Sequence, residues 1–144
     1  MSLKTIIRLQ KLQLDEKRRV LAELHTLADR LRSEIEKVKQ EIAQEQEVAR
    51  DDFSVSFTYS NFAQAALERG RRLGESLGQV EAQIEIATDE MAEAFQELKR
   101  YELAEEERQR RERDKQKRKD AAMLDETALV GFRRRQTEEE AAGG

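Results

Sequence analysis

At 144 residues the chain is sized for a single domain. Its 27 Lys and Arg against 31 Asp and Glu leave a net charge of −4, although 40% of the residues are charged. Cys, Pro and Trp are absent, which excludes a disulfide scaffold, a thiolate zinc site and a cysteine nucleophile. Only six glycines occur, and with no proline beside them a loop-rich globule is not expected. Arg, Lys, Glu, Gln, Leu and Ala dominate, the composition of long helices or a coiled coil.

The N-terminal stretch Leu3-Lys4-Thr5-Ile6-Ile7-Arg8-Leu9 is broken by charge too often for a signal-peptide core. The longest apolar run, Ala128 to Phe132, falls far short of the ~18–20 residues that a membrane span requires. A cytoplasmic protein with no direct membrane span is expected. From Leu9 onward the apolar residues form a helical series: Leu9, Val20, Leu24, Leu27, Leu31, Ile35, Val38, Ile42. An offset of eleven links Leu9, Val20, Leu31 and Ile42. A second series runs Phe62, Ala66, Leu73, Leu77, Val80, Ile84, Met91, Phe95, Leu98, with the same offset linking Phe62, Leu73, Ile84 and Phe95. An eleven-residue repeat predicts a nearly straight or weakly right-handed pair of helices.

Between the series lies the hydroxyl-rich, aromatic stretch 51–60, where the helical period breaks. Asn61 with Gln64 three residues on reads as the capping pair that starts the second helix. A short connection implies that the second helix returns antiparallel to the first. Facing positions in such a pair have a constant numerical sum. Val38 with Leu73, Leu31 with Val80, Leu27 with Ile84 and Val20 with Met91 each give 111, and Ile35 with Leu77 gives 112. The predicted architecture is therefore all-α, a long antiparallel two-helix coiled-coil hairpin. Helix 1 covers about 3–50, the loop about 51–60, and helix 2 starts near 61, all within a hairpin domain of 1–120. In this register helix 1 runs out opposite residue 108 or so, and helix 2 overhangs beyond it. Residues 121–136 are expected to be a helical extension and 137–144 a disordered tail.

Nothing in the chain looks catalytic. His25 is the single histidine, and no phosphate loop, Ser-His-Asp set or convergent carboxylate pair is present. Neither enzyme activity, metal nor cofactor is expected. Residues 108–119, including Arg110, Arg111 and Arg113, hold eight basic and two acidic side chains without an aromatic among them. Nucleic-acid binding would want aromatics or a recognisable fold beside such a run, so a solvated helix or a docking surface for an acidic, helix-lined protein cavity is preferred. Apolar residues return after it, from Met123 and Leu124 to Phe132, where no helix 1 remains to cover them. They form either a binding surface or a frayed helix folding on itself. Gly70, Gly74 and Gly78 form a ladder that either admits a closely packed partner or merely loosens the helix. Phe53, Phe57, Tyr59 and Phe62 cluster at the hairpin tip, as a binding surface or as a plug.

Two stretches carry a family resemblance. Leu3-x-x-Ile6-x-x-Leu9 followed by Leu14-Asp15-Glu16-Lys17-Arg18-Arg19-Val20-Leu21-Ala22-Glu23-Leu24, and Leu124-Asp125-Glu126-x-Ala128 with Arg133-Arg134, resemble the flagellar export protein family FliJ. The resemblance implies a component of the flagellar type III export apparatus, serving flagellum assembly and motility from the cytoplasm and peripherally associated with the inner membrane. It implies a coiled coil, similar to the central stalk of rotary ATPases, that inserts into the export ATPase ring and promotes its assembly. Contacts with the export gate membrane protein and with flagellar export chaperones are implied as well. By position, the ATPase-facing end would comprise Leu3, Ile6 and Ile7 with Met123, Leu124, Asp125, Glu126 and Ala128, and the basic run before them would join the contact. The gate- or chaperone-facing surface would include Phe62 and Ala66, beside the tip aromatics Phe57 and Tyr59. Tyrosines that some members carry late in helix 1 are replaced here by Glu45 and Ala49. A generic coiled-coil scaffold or chaperone is the alternative, with a nucleic-acid-binding coiled coil behind it. A stalk of a virulence secretion system is a close variant of the first reading.

Overall fold

The computed structural model describes residues 1–51 and 56–143. It contains two α-helices, α1 (Leu3–Asp51) and α2 (Ser56–Gly143), which divide between two compact units: Arg8–Leu98, and Met1–Ile7 with Lys99–Gly144. Ser2 starts α1 as an N-cap. Its hydroxyl accepts the Thr5 amide at 3.3 Å, and its carbonyl accepts the Ile6 amide at 3.1 Å. Arg50 in the last turn places a positive charge where the helix dipole is negative.

Within Arg8–Leu98 the helices pack against each other as an antiparallel hairpin. Cross-helix ion pairs mark the register: Lys17 with Glu90 at 3.6 Å, Arg32 with Glu81 at 3.3 Å, and Arg69 with Glu41 at 2.5 Å. Their residue numbers add to 107, 113 and 110, bracketing the predicted 111. The register read from the apolar series is the one the fold adopts.

The repeat is different. The inward positions of α1 in this unit are Leu14, Leu21, Ala28, Ile35, Ile42 and Ala49, each seven residues from the next, with Lys17, Leu24, Leu31 and Val38 as the companion row. In α2 the rows are Ala66, Leu73, Val80, Ala87 and Ala94, and Ala63, Gly70, Leu77, Ile84, Met91 and Leu98. All of these are buried or half-buried. The expected eleven-residue repeat thus gives way to a seven-residue one, the pattern of a left-handed coiled coil. Leu9, Val20 and Phe95, which carried the eleven-residue offset, are 38–44% exposed and flank the seam, as does Leu27 at 38%. The reason is size. Alanine carries little weight in a hydrophobic pattern, yet Ala28, Ala66, Ala87 and Ala94 are at most 8% exposed because they lie on the centre line, where small side chains let two backbones approach. Leu14, Val38, Val80 and Leu98 share that line, each at most 7% exposed, while Leu9, Val20, Leu27 and Phe95 stand at its margins.

Helix α2 begins at Ser56, ahead of the expected cap at Asn61, which is an exposed residue inside the helix. Extending an existing helix through Ser56 to Ser60 costs at most ~0.7 kcal/mol per residue in propensity, far less than nucleating one. Residues 137–143, expected to be disordered, continue the same helix. Three glutamates and two alanines there are good helix formers, and the Thr137 hydroxyl donates to the Arg133 carbonyl at 2.9 Å. Residues 52–55 of the expected loop, Phe53 among them, lie outside the described residues, as does the side chain of Phe57.

The exposed faces are stitched by pairs three and four residues apart. Arg71 bonds Glu68 at 2.6 Å and Glu75 at 2.5 Å, and Arg72 reaches Glu68 at 3.3 Å. Held chiefly by its hydrogen bond from Arg71, the Glu68 carboxyl is pulled down to about 2.

Of the glycine ladder, Gly70 faces the seam: a Cβ there would sit 3.5 Å from Cγ1 of Val38, an ordinary contact. Gly74 and Gly78 open onto nothing within 4 Å. Replacing Gly74 and Gly78 with Ala should therefore stabilise the helix by ~0.5–1 kcal/mol at each site. Thermal unfolding followed by circular dichroism is expected to show a higher midpoint for the double variant; a lower one would mean that something in the fold needs those positions bare.

Candidate functional site: the uncovered end of the second helix

In the unit formed by Met1–Ile7 and Lys99–Gly144, the first turns of α1 cover only the nearer part of α2. Leu3, Ile6 and Ile7 are half-buried, as are Tyr101 and Glu102. Glu105 is 7% exposed, the one charged residue in the buried set among the described residues. Its carboxylate accepts the Arg108 guanidinium at 3.0 Å from Nε and 2.9 Å from Nη2, and the Gln109 amide at 3.2 Å. The Arg108 hydrogen bond, with smaller help from Gln109 and the Lys4 charge, holds the Glu105 carboxyl below the ordinary carboxylate range against the opposing effect of burial. From Arg108 to Gly143 every described residue is exposed except Gly131, which is half-exposed. No part of α1 covers this stretch.

Charge along it is arranged in two steps. The glutamates 105–107 neutralise the first arginines of the basic run: Arg108 pairs with Glu105, and Arg110 and Arg111 both pair with Glu107, the latter at 3.2 Å. Among the described residues Arg113, Lys115, Lys117, Arg118 and Lys119 have no ion-pair partner. Arg110 and Arg113 line an open groove with Leu103, Glu106 and Glu107. Farther along stand bare apolar groups: Met123 is 66% exposed, Leu124 71%, Leu129 55% and Phe132 61%. Leu124 and Ala128 are four residues apart and share a face, whereas Met123 is turned about 100° from Leu124. Asp125 and Glu126 are exposed between them.

The residues expected at the ATPase-facing end are therefore spread over the first turns of α1 and a long stretch of α2 rather than gathered in a cluster. Met123 lies eighteen residues beyond Glu105, ~27 Å along the axis at 1.5 Å per residue. Leu3, Ile6 and Ile7 are partly used up in packing. Phe132 is as bare as Leu124 and belongs to the same face, although the expected set stopped at Ala128; its eight-residue spacing from Leu124 was the available signal. In the other unit, Tyr59 and Phe62 are half-buried and Ala66 is 3% exposed. A partner can reach the two aromatic rings, but Ala66 is committed to the seam. His25 is exposed, and among the described residues no group of acidic or histidine side chains could hold a metal ion. No described helix is long and apolar enough to cross a membrane.

The sequence profile of the family described as Flagellar FliJ protein matches residues 1–137. The chain belongs to the FliJ family. It is thus a component of the flagellar export apparatus, in a family whose role is not catalytic. No curated protein and no solved structure matches it significantly. The family match spans both compact units, including the uncovered stretch of α2 as far as Thr137.

Glu105 occupies the last inward position before the helix is left uncovered, opposite Ile7 in the 112 register. Glu105→Leu removes the shared acceptor of Arg108 and Gln109 and places an apolar side chain at that inward position. The variant should respond less to acid. The Glu105 pKa is depressed in the fold, so its contribution is present above the unfolded value near 4.5 and is lost as the pH falls below it. Melting curves at pH 7 and pH 3 should differ more for the natural chain than for the variant.

Proposed function

We propose that this FliJ-family chain is a non-enzymatic stalk, acting in the cytoplasm against the inner membrane. It engages the flagellar export ATPase ring, promotes ring assembly, and escorts export chaperones to the gate membrane protein. The observation that carries the reading is the uncovered length of α2. A helix whose apolar groups are bare over residues 121–132, preceded by unpaired basic side chains, is built to enter a cavity lined by other helices. Polar and charged side chains around the rest of its circumference keep such a helix from sticking as it turns or slides. Leu3, Ile6 and Ile7 contribute at the base of this element, Arg110, Arg111 and Arg113 at its middle, and Met123, Leu124, Asp125, Glu126 and Ala128 beyond. Gate or chaperone contact is assigned to the other unit, through Phe57, Tyr59 and Phe62; Ala66 belongs to the seam.

ATP hydrolysis by the cognate export ATPase should be stimulated by the full chain and not by a version ending at Asp120. Equal stimulation by both would move the contact to the hairpin. Among the basic residues, Arg110 and Arg111 are already engaged by Glu107, so replacing Arg113 and Lys115 with Ala should reduce stimulation more than replacing Arg110 and Arg111. The half-maximal concentration of stimulation reads the difference, with ~3–10-fold expected for the first pair from the loss of two unpaired charges. Equal effects would remove the role assigned to unpaired charge.

A further inference from the structure

One face of the uncovered helix carries a pattern that runs beyond Leu124 and Ala128, the two of its residues that the stalk reading uses. Lys117, Ala121, Leu124, Ala128, Phe132, Arg135 and Glu139 are all exposed. Their spacings are four, three, four, four, three and four, the same read from either end. Eleven residues make three helical turns, so Lys117, Ala128 and Glu139 stand almost in line. The face is symmetric about Ala128 in position, and it is complementary about Ala128 in chemistry. At one end is a lysine and at the other a glutamate, neither with an ion-pair partner among the described residues. Equidistant from the centre are Leu124, 71% exposed, and Phe132, 61% exposed.

We infer that this face binds a second copy of itself, forming an antiparallel two-fold dimer centred on Ala128. Facing residue numbers in that dimer add to 256. Ala128 meets Ala128 of the second copy on the axis, where small side chains permit close approach. Leu124 packs on Phe132 twice, and the aliphatic stem of Arg135 lies over Ala121. Lys117 meets Glu139 at both ends. The contact is isologous, so it closes at two copies and does not propagate into a filament. It extends over twenty-three residues, ~33 Å of helix, and such a short seam associates weakly. Leu124 and Ala128 are covered in the dimer, which makes it a resting form that ring engagement would have to open. That last consequence rests on the stalk reading; the pairing does not.

The chain has no cysteine, so one introduced thiol reports position without background. Sedimentation equilibrium of the full chain from ~5 to ~500 µM, the range suited to a small interface, should show a monomer–dimer equilibrium. A short bis-maleimide should cross-link the Ala128→Cys variant and leave Glu126→Cys, on the opposite side of the helix, mostly monomeric. Lys117→Glu should weaken the dimer about tenfold, and Glu139→Lys likewise, since each turns two attractions into repulsions. The double variant should recover the natural affinity, a rescue that neither misfolding nor a parallel dimer would produce. A monomer at every concentration, equal cross-linking at positions 128 and 126, or a double variant no better than the singles would each overturn the inference.

Discussion

Two helices without a third can cover each other along one stripe, and the rest of this structure follows from how that stripe is filled. In Arg8–Leu98 it is filled by a seven-residue repeat in which buried alanines share the inward positions with leucine, isoleucine, valine and methionine. Close approach compensates for small side chains: each buried alanine contributes little apolar area, but narrow spacing lets the flanking residues of both helices reach across. Everything facing away must be compatible with water on its own account. The dense pairing of charges three and four residues apart does this, and such pairs support the helix slightly while keeping it soluble.

The pairing register was legible in the sequence because it depends only on where apolar residues cluster along each helix. Val38 and Leu73 line one groove across the two helices, as their sum of 111 requires. The repeat length was not legible in the same way. Large residues at Leu9, Val20, Leu27 and Phe95 dominate any hydrophobic pattern, whereas Ala28, Ala87 and Ala94 are invisible to it. Which of two neighbouring residues turns inward is then decided by how closely the backbones pack, a property of the pair and not of either helix. The helix ends were misjudged for a related reason. Hydroxyl-rich and polar stretches lower helix propensity by a few tenths of a kcal/mol per residue, too little to stop a helix already formed.

The candidate site was legible as an absence of partner. Once the register is known, arithmetic on residue numbers places the end of α1 near residue 108 of α2, and any apolar residue beyond must be bare. The sequence did not reveal the division of labour among the arginines. Glu105 to Glu107 precede the basic run, and only the structure assigns Arg108, Arg110 and Arg111 to them, leaving the positive charge concentrated from Arg113 onward. Nor did it mark Glu105 as an inward residue, because a glutamate at the head of a run of three reads as surface.

A seam made of many small contributions has no keystone. Losing one alanine contact costs little, and so does forming one, so pairing can open stepwise from wherever it is already interrupted. Backbone amides should then exchange with solvent deuterium in a gradient along the hairpin unit. Amides near Ala49 and Ala63 exchange early, and those around Ala28 and Ile84, with matched neighbours on either side, exchange last. The protein would be described better by a profile of local opening than by one unfolding free energy.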